Sequence, residues 1–102
     1  MTVPERYETG LQGEELAEER LRAQGMVCLE RRYRAAGGEI DLIMADAAGT
    51  VVFVEVKYRP GGRHGDGLTA VTPDKQRRVC RAADHYLTER GLWGLSVRYD
   101  IV

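Results

Sequence analysis

The stretch Gly38-Glu39-Ile40-Asp41-Leu42-Ile43-Met44-Ala45-Asp46-Ala47-Ala48-Gly49-Thr50-Val51-Val52-Phe53-Val54-Glu55-Val56-Lys57 decides the fold of this chain. It reads as two strands, residues 39–45 and 50–59, joined by the short loop Asp46-Ala47-Ala48-Gly49. Val51-Val52-Phe53-Val54 is an almost unbroken β-branched and aromatic run, which predicts a central strand covered on both faces. Asp41, Glu55 and Lys57 interrupt this apolar setting. An unpartnered carboxylate is costly to bury, and a domain whose whole stability is about 5–15 kcal/mol has little room for one without a task.

Alternate residues of a strand share a face. Glu39 and Asp41 are therefore expected on one face of their strand, and Ile40 and Leu42 on the other. On the next strand, Glu55 and Lys57 should share a face with Phe53, while Val52, Val54 and Val56 take the opposite one. Thirteen residues separate Asp41 from Glu55, enough for two short antiparallel strands and a tight turn. If the register brings the two acids together they repel, and a cation relieves the repulsion. Oxygen ligands select a hard ion, Mg2+ or Mn2+. Such an ion polarises a phosphoryl oxygen. Lys57, about 6–7 Å along the strand from Glu55, could orient water or stabilise developing charge. Glu14 or Glu15 could complete the ligand shell from the first helix. The bland alternative is a surface acid and a Glu–Lys pair worth little.

Outward from this core, residues 1–9 are polar and expected to be flexible. Residues 10–24 carry a helical pattern through Leu16, Ala17, Leu21 and Ala23, ended by Gly25. Residues 26–34 read as a first strand, followed by the turn Ala35-Ala36-Gly37-Gly38. Residues 60–67 are a glycine-rich loop containing His64. Thr72-Pro73 is an N-cap followed by proline at the first helical position. The second helix runs to Arg90 with Val79, Ala83, Tyr86 and Leu87 as its apolar stripe, and Gly91 ends it. Residues 95–102 form a last strand. The fold class is α/β, a mixed central sheet flanked by helices in the order α-β-β-β-α-β, in a single domain over residues 1–102.

Lys and Arg total 15 and Asp and Glu 16, for a net charge of −1, so overall charge does not point to nucleic acid. Its distribution does more. Residues 31–81 hold 10 basic and 6 acidic groups, a net +4, and two of those acids are Asp41 and Glu55. Arg31, Arg32, Arg34, Arg59, Arg63, Lys75 and Arg78 are candidate phosphate contacts, because phosphate binding needs local positive charge. Tyr33 fits either base stacking or the core, and Trp93 reads as a packing anchor. Cys28 and Cys80 lack zinc-ligand spacing and read as buried free thiols. No apolar run approaches the ~20 residues of a membrane span, and no signal peptide is visible. A cytoplasmic protein without a membrane partner is the expectation.

Four motifs occur in order: Gly13-Glu14-Glu15-Leu16-Ala17, Gly-Gly-Glu-Ile-Asp-Leu-Ile at 37–43, Val-Phe-Val-Glu-Val-Lys at 52–57, and Val-Thr-Pro-Asp-Lys-Gln at 71–76. Together they resemble the YraN-like family of small bacterial proteins, which is similar to archaeal Holliday-junction resolvases of the PD-(D/E)xK nuclease superfamily. The resemblance implies a restriction-endonuclease-like fold. It also implies a metal-dependent endonuclease acting on DNA, including branched DNA, and working as a homodimer. Carried over by motif, Glu14 is the acid of the first helix, Asp41 and Glu55 are metal ligands, Lys57 is the catalytic lysine and Gln76 is the polar residue of the following helix. Glu39 and Lys75 also fall on motif positions. Family members usually continue beyond Val102. A non-catalytic nucleic-acid-binding module and an interaction subunit with a vestigial site are the rival readings.

Overall fold

The computed structural model describes residues 5–57 and 72–102, with side chains from residue 12 onward. Its elements are α1 (Glu5–Ala23), β1 (Val27–Ala35), β2 (Gly38–Ala45), β3 (Val51–Glu55), α2 (Pro73–Arg90) and β4 (Val97–Ile101). This is the expected α-β-β-β-α-β order. The sheet order is β1-β2-β3-β4; the first three strands form an antiparallel meander, and β4 lies parallel to β3. The mixed sheet between helices is compatible with a restriction-endonuclease-like fold. No described helix is long and apolar enough to cross a membrane.

β3 is the buried spine of the sheet. Val51, Val52, Phe53 and Val54 are all buried, as the unbroken apolar run requires. Their side chains alternate between two cores. Val52 and Val54 join Leu42, Met44, Met26 and the α1 residues Ala17 and Leu21, with Val56 packed alongside. Val51 and Phe53 join Ile40, Ile43 and the α2 residues Ala82, Ala83, Tyr86 and Leu87, with Tyr33 and Val79 against them. The sheet is thus covered by one helix on each side. Leu16, by contrast, is 43% exposed and outside both cores.

Local chemistry sets the helix ends. Thr72 Oγ1 accepts a hydrogen bond from the Lys75 backbone N–H at 3.1 Å, and Pro73 occupies the first turn. At the other end Gly91 has φ +67°, and the Leu92 N–H donates to the Leu87 carbonyl at 2.9 Å, closing a Schellman cap. α1 ends in the same way, with the Met26 N–H on the Leu21 carbonyl and the Gly25 N–H on the Arg22 carbonyl. Its start at Glu5, however, precedes the expected residue 10. Glu and Arg are good helix formers, so weak apolar periodicity there did not prevent a helix.

The β1–β2 connection is tighter than the sequence suggests. Ala35 pairs with Gly38, leaving the two-residue loop Ala36-Gly37, whose φ values are +53° and +76°. Two positive φ angles mark a type I′ turn, which matches strand twist. Gly38 belongs to β2, and a Cβ there would collide with the Arg78 carbonyl of α2. Helix and hairpin therefore meet backbone to backbone.

The β1–β2 ladder shifts register between Cys28 and Glu30, and strict alternation also fails within β2. Ile40 packs in the α2-side core and Leu42 in the α1-side core, so they do not share a face. The pairs Arg31↔Leu42 and Tyr33↔Ile40 set Arg32 opposite Asp41, and Arg32 has φ +48°. A left-handed residue turns the strand locally, much as a bulge does, and the side-chain phase slips there. Further corrections concern single residues. Cys80 is exposed and Cys28 only half-buried, although both are free. Trp93 is 58% exposed, its Nε1 donating to Thr88 Oγ1 at 2.8 Å. Tyr33 is half-buried and meets Tyr86 edge-on at 5.2 Å.

Candidate functional site

β2 and β3 pair from Ala45↔Val51 to Leu42↔Val54, and the ladder stops there. Beyond it Asp41 replaces a backbone partner: its Oδ2 accepts the Val56 N–H at 2.8 Å. β3 stays with the β4 side instead. The Val102 N–H donates to the Glu55 carbonyl at 2.9 Å and the Lys57 N–H to the Val102 carbonyl at 2.7 Å. The C-terminal end of β3 thus lies where an antiparallel neighbour on one side gives way to a parallel one on the other.

Asp41, Glu55, Lys57 and Lys75 meet at this end. Glu55 Oε1 lies 3.5 Å from Lys57 Nζ and makes a shorter ion pair with Lys75 Nζ. Glu55 and Lys57 are largely withdrawn from solvent, with side-chain exposures of 13% and 17%. Burial pushes the Asp41 carboxyl up to about 6, the negative charges of Glu55 and Glu14 add to the rise, and the Val56 N–H and Lys75 work against it. Burial pulls the Lys57 ammonium down, aided by Lys75 beside it and opposed by Glu55. Burial pulls on Lys75 too, but the hydrogen bond and charge of Glu55 prevail and its pKa is raised.

Glu14 projects from α1 toward the same end, close enough for its charge to act on Asp41. Its nearest cation is Arg32, whose Nε donates to Glu14 Oε2 at 2.8 Å. Gln76 follows Lys75 on α2, exposed, and lines with Glu55, Lys75, Tyr99 and Ile101 a cleft of about 400 Å³. Among the described residues, no three His, Cys, Asp or Glu side chains stand together as a ready-made metal cage. Asp41 and Glu55, close enough for the charge of one to act on the other, are carboxylates, the chemistry that suits a hard divalent ion.

Among the described residues, the basic side chains picked out as phosphate contacts are already engaged. Arg31 forks onto Glu18 through Nε at 2.6 Å and a terminal nitrogen at 2.8 Å. Arg34 lies 3.5 Å from Glu39, and Arg78 3.4 Å from Asp74. Arg59, Arg63 and His64 lie outside the described residues. Lys75 is the residue whose place the linear reading missed: expected as a phosphate contact and noted on a motif position without a role, it makes the shorter of the two ion pairs to Glu55. One signal was available, since capping at Thr72 puts Lys75 in the first turn of a helix that follows the site strand.

With this geometry in hand, comparison with known proteins assigns the chain. Residues 13–102 match the family model described as Uncharacterised protein family UPF0102. The chain belongs to this family. The YraN-like resemblance of the motifs is thereby borne out. A UPF0102 protein of Methylococcus capsulatus is 48% identical over 94 residues, covering 92% of this chain and 75% of that protein. A UPF0102 protein of Saccharophagus degradans is 44% identical over 93% of this chain and 80% of its own length. For a UPF0102 protein of Cupriavidus taiwanensis the values are 50%, 82% and 64%. The family description assigns no activity.

Proposed function

We propose that this UPF0102 protein is a metal-dependent endonuclease that hydrolyses phosphodiester bonds of DNA, with branched or junction DNA as the favoured substrate. The observation that carries the reading is the gathering of Asp41, Glu55 and Lys57 where β2 and β3 part, with the Asp41 carboxyl raised to about 6 by burial and by Glu55 and Glu14. A divalent cation would favour the ionised form of Asp41, which burial first and then the charges of Glu55 and Glu14 disfavour. Asp41 and Glu55 would hold Mg2+ or Mn2+, with Glu14 as a third donor. Bound there, the ion supplies Lewis-acid polarisation of a phosphoryl oxygen.

The chain's own residues do the rest. The Val56 N–H fixes the Asp41 carboxylate in place. Glu55 anchors two ammonium groups, so Lys57 is held at the reacting phosphate without freedom to swing away. Lys57 offers positive charge to the oxygen on which charge develops. Its lowered pKa also suits it to exchange a proton with water near neutral pH better than a free lysine would. Gln76, at the cleft mouth, would orient water or a phosphate oxygen.

The engagement of Glu55 by two lysines and of Glu14 by Arg32 favours the second reading, a nucleic-acid-binding module or interaction subunit without turnover. One experiment separates the two. Single-stranded, duplex, flapped and four-way DNA are incubated with the protein in Mg2+, Mn2+ or EDTA, beside Asp41→Asn and Lys57→Ala. The nuclease reading expects cation-dependent cutting that both substitutions abolish. Binding without cutting, unchanged by Asp41→Asn, would move the assignment to the second reading.

A further inference from the structure

A cleft of about 600 Å³ lies between the β1–β2 hairpin and the first turns of α2, and Lys75 is one of its walls. Lys75 also pairs with Glu55, so this wall of the cleft adjoins the candidate site. Its remaining cations are Arg34, at the end of β1, and Arg78, three residues beyond Lys75 and hence on the same side of α2. Gly37 and Gly38 form the hairpin wall and leave backbone bare of side chains. Among the described residues, Glu39 is the single carboxylate in the lining.

We infer that this cleft is a subsite for the DNA backbone, in which Arg34 and Arg78 grip a phosphate next to the one positioned at Glu55 and Lys57. The inference rests on the nuclease reading for its substrate and adds the path the strand takes: from the end of β3, over Lys75, to the β1–β2 hairpin. Guanidinium forks suit phosphate oxygens. The pairs these arginines now make are weak. Arg34 is 73% exposed and 3.5 Å from Glu39; Arg78 is 51% exposed and 3.4 Å from Asp74. Exposed pairs of this kind contribute little, and an incoming phosphate can displace the carboxylate. Arg31 differs, since two short bonds commit it to Glu18.

The test is DNA affinity by fluorescence anisotropy, with a labelled short duplex in EDTA, across a series of salt concentrations. Arg34→Ala with Arg78→Ala is expected to make the dependence of log affinity on log salt shallower by about 2. Glu39→Gln is expected to tighten binding by about two- to fivefold at low salt, which a purely structural role would not produce. Arg22→Ala, on α1, should leave the slope unchanged. Matching melting temperatures exclude misfolding. A slope unchanged in the double variant, or weaker binding by Glu39→Gln, overturns the subsite. If the wild type cuts DNA with Mg2+ while the double variant keeps its slope, the subsite fails and the nuclease reading stands. The expected slope change without any cutting supports the subsite and sinks the nuclease.

Discussion

The Asp41 carboxylate caps the Val56 backbone N–H at 2.8 Å, across the point where β2 and β3 cease to pair. One side chain therefore has two tasks: it closes the sheet at its splayed end and contributes charge to the site. Substitutions can separate them. Asp41→Asn keeps an oxygen for the Val56 N–H, and at about pH 4, where the folded chain holds Asp41 protonated, its melting temperature should stay near that of the wild type. Asp41→Ala leaves that N–H without its acceptor and should lose about 1–3 kcal/mol in urea denaturation. Equal stability of the two variants would deny the structural task.

The same carboxyl makes stability depend on pH in a direction opposite to most acids. Its pKa is raised from 3.8 to about 6 in the folded chain, so between these values the native state holds more protons than the unfolded one. Its contribution is fully present below 3.8 and is lost as pH rises through about 6. Without divalent cations, wild type should lose on the order of 2 to 3 kcal/mol relative to Asp41→Asn between about pH 4 and about pH 7. Urea melts of both proteins at the two pH values check this, and a constant difference would refute it.

Lys75 should add to the effect of burial on the ionisation of Lys57. Its charge helps hold the Lys57 pKa down, so Lys75→Ala should move the Lys57 titration upward, observable by NMR of the lysine side-chain carbons. No upward movement would mean that burial alone sets the value.

The hairpin offers a test of the fold. Gly38→Ala drives a methyl into the Arg78 carbonyl and should destabilise by about 1–3 kcal/mol or more. Ala36 sits at φ +53°, where asparagine is more at ease than alanine, so Ala36→Asn should stabilise by about 0.5–1 kcal/mol. Thermal melts of the two variants should shift in opposite directions.

How far the sequence was legible follows from the range of the interactions. α2 could be bounded from Thr72, Pro73 and Gly91 because caps act within a few residues. β3 was legible from Val51 to Val54 because a strand buried on both faces leaves no polar position. The phase slip between Ile40 and Leu42 was not legible, since it depends on the left-handed Arg32 on the neighbouring strand. Nor were the partners of the arginines. Glu14 and Glu18 reach Arg32 and Arg31 only because α1 packs over the meander. Asp41, Glu55 and Lys57 were identifiable as charges on apolar strands; Glu14 and Gln76 needed the family motifs.

The central claim is that Asp41 and Glu55 together make a divalent-cation site. Calorimetric titration of Mn2+ into the protein at about pH 6, where Asp41 is about half protonated, tests it most directly, with Asp41→Asn and Glu55→Gln measured alongside. The account predicts saturable Mn2+ binding that releases protons, because Asp41 must ionise fully to ligate, and that both substitutions weaken by at least about tenfold. Absence of binding, or binding that survives both substitutions, would contradict it.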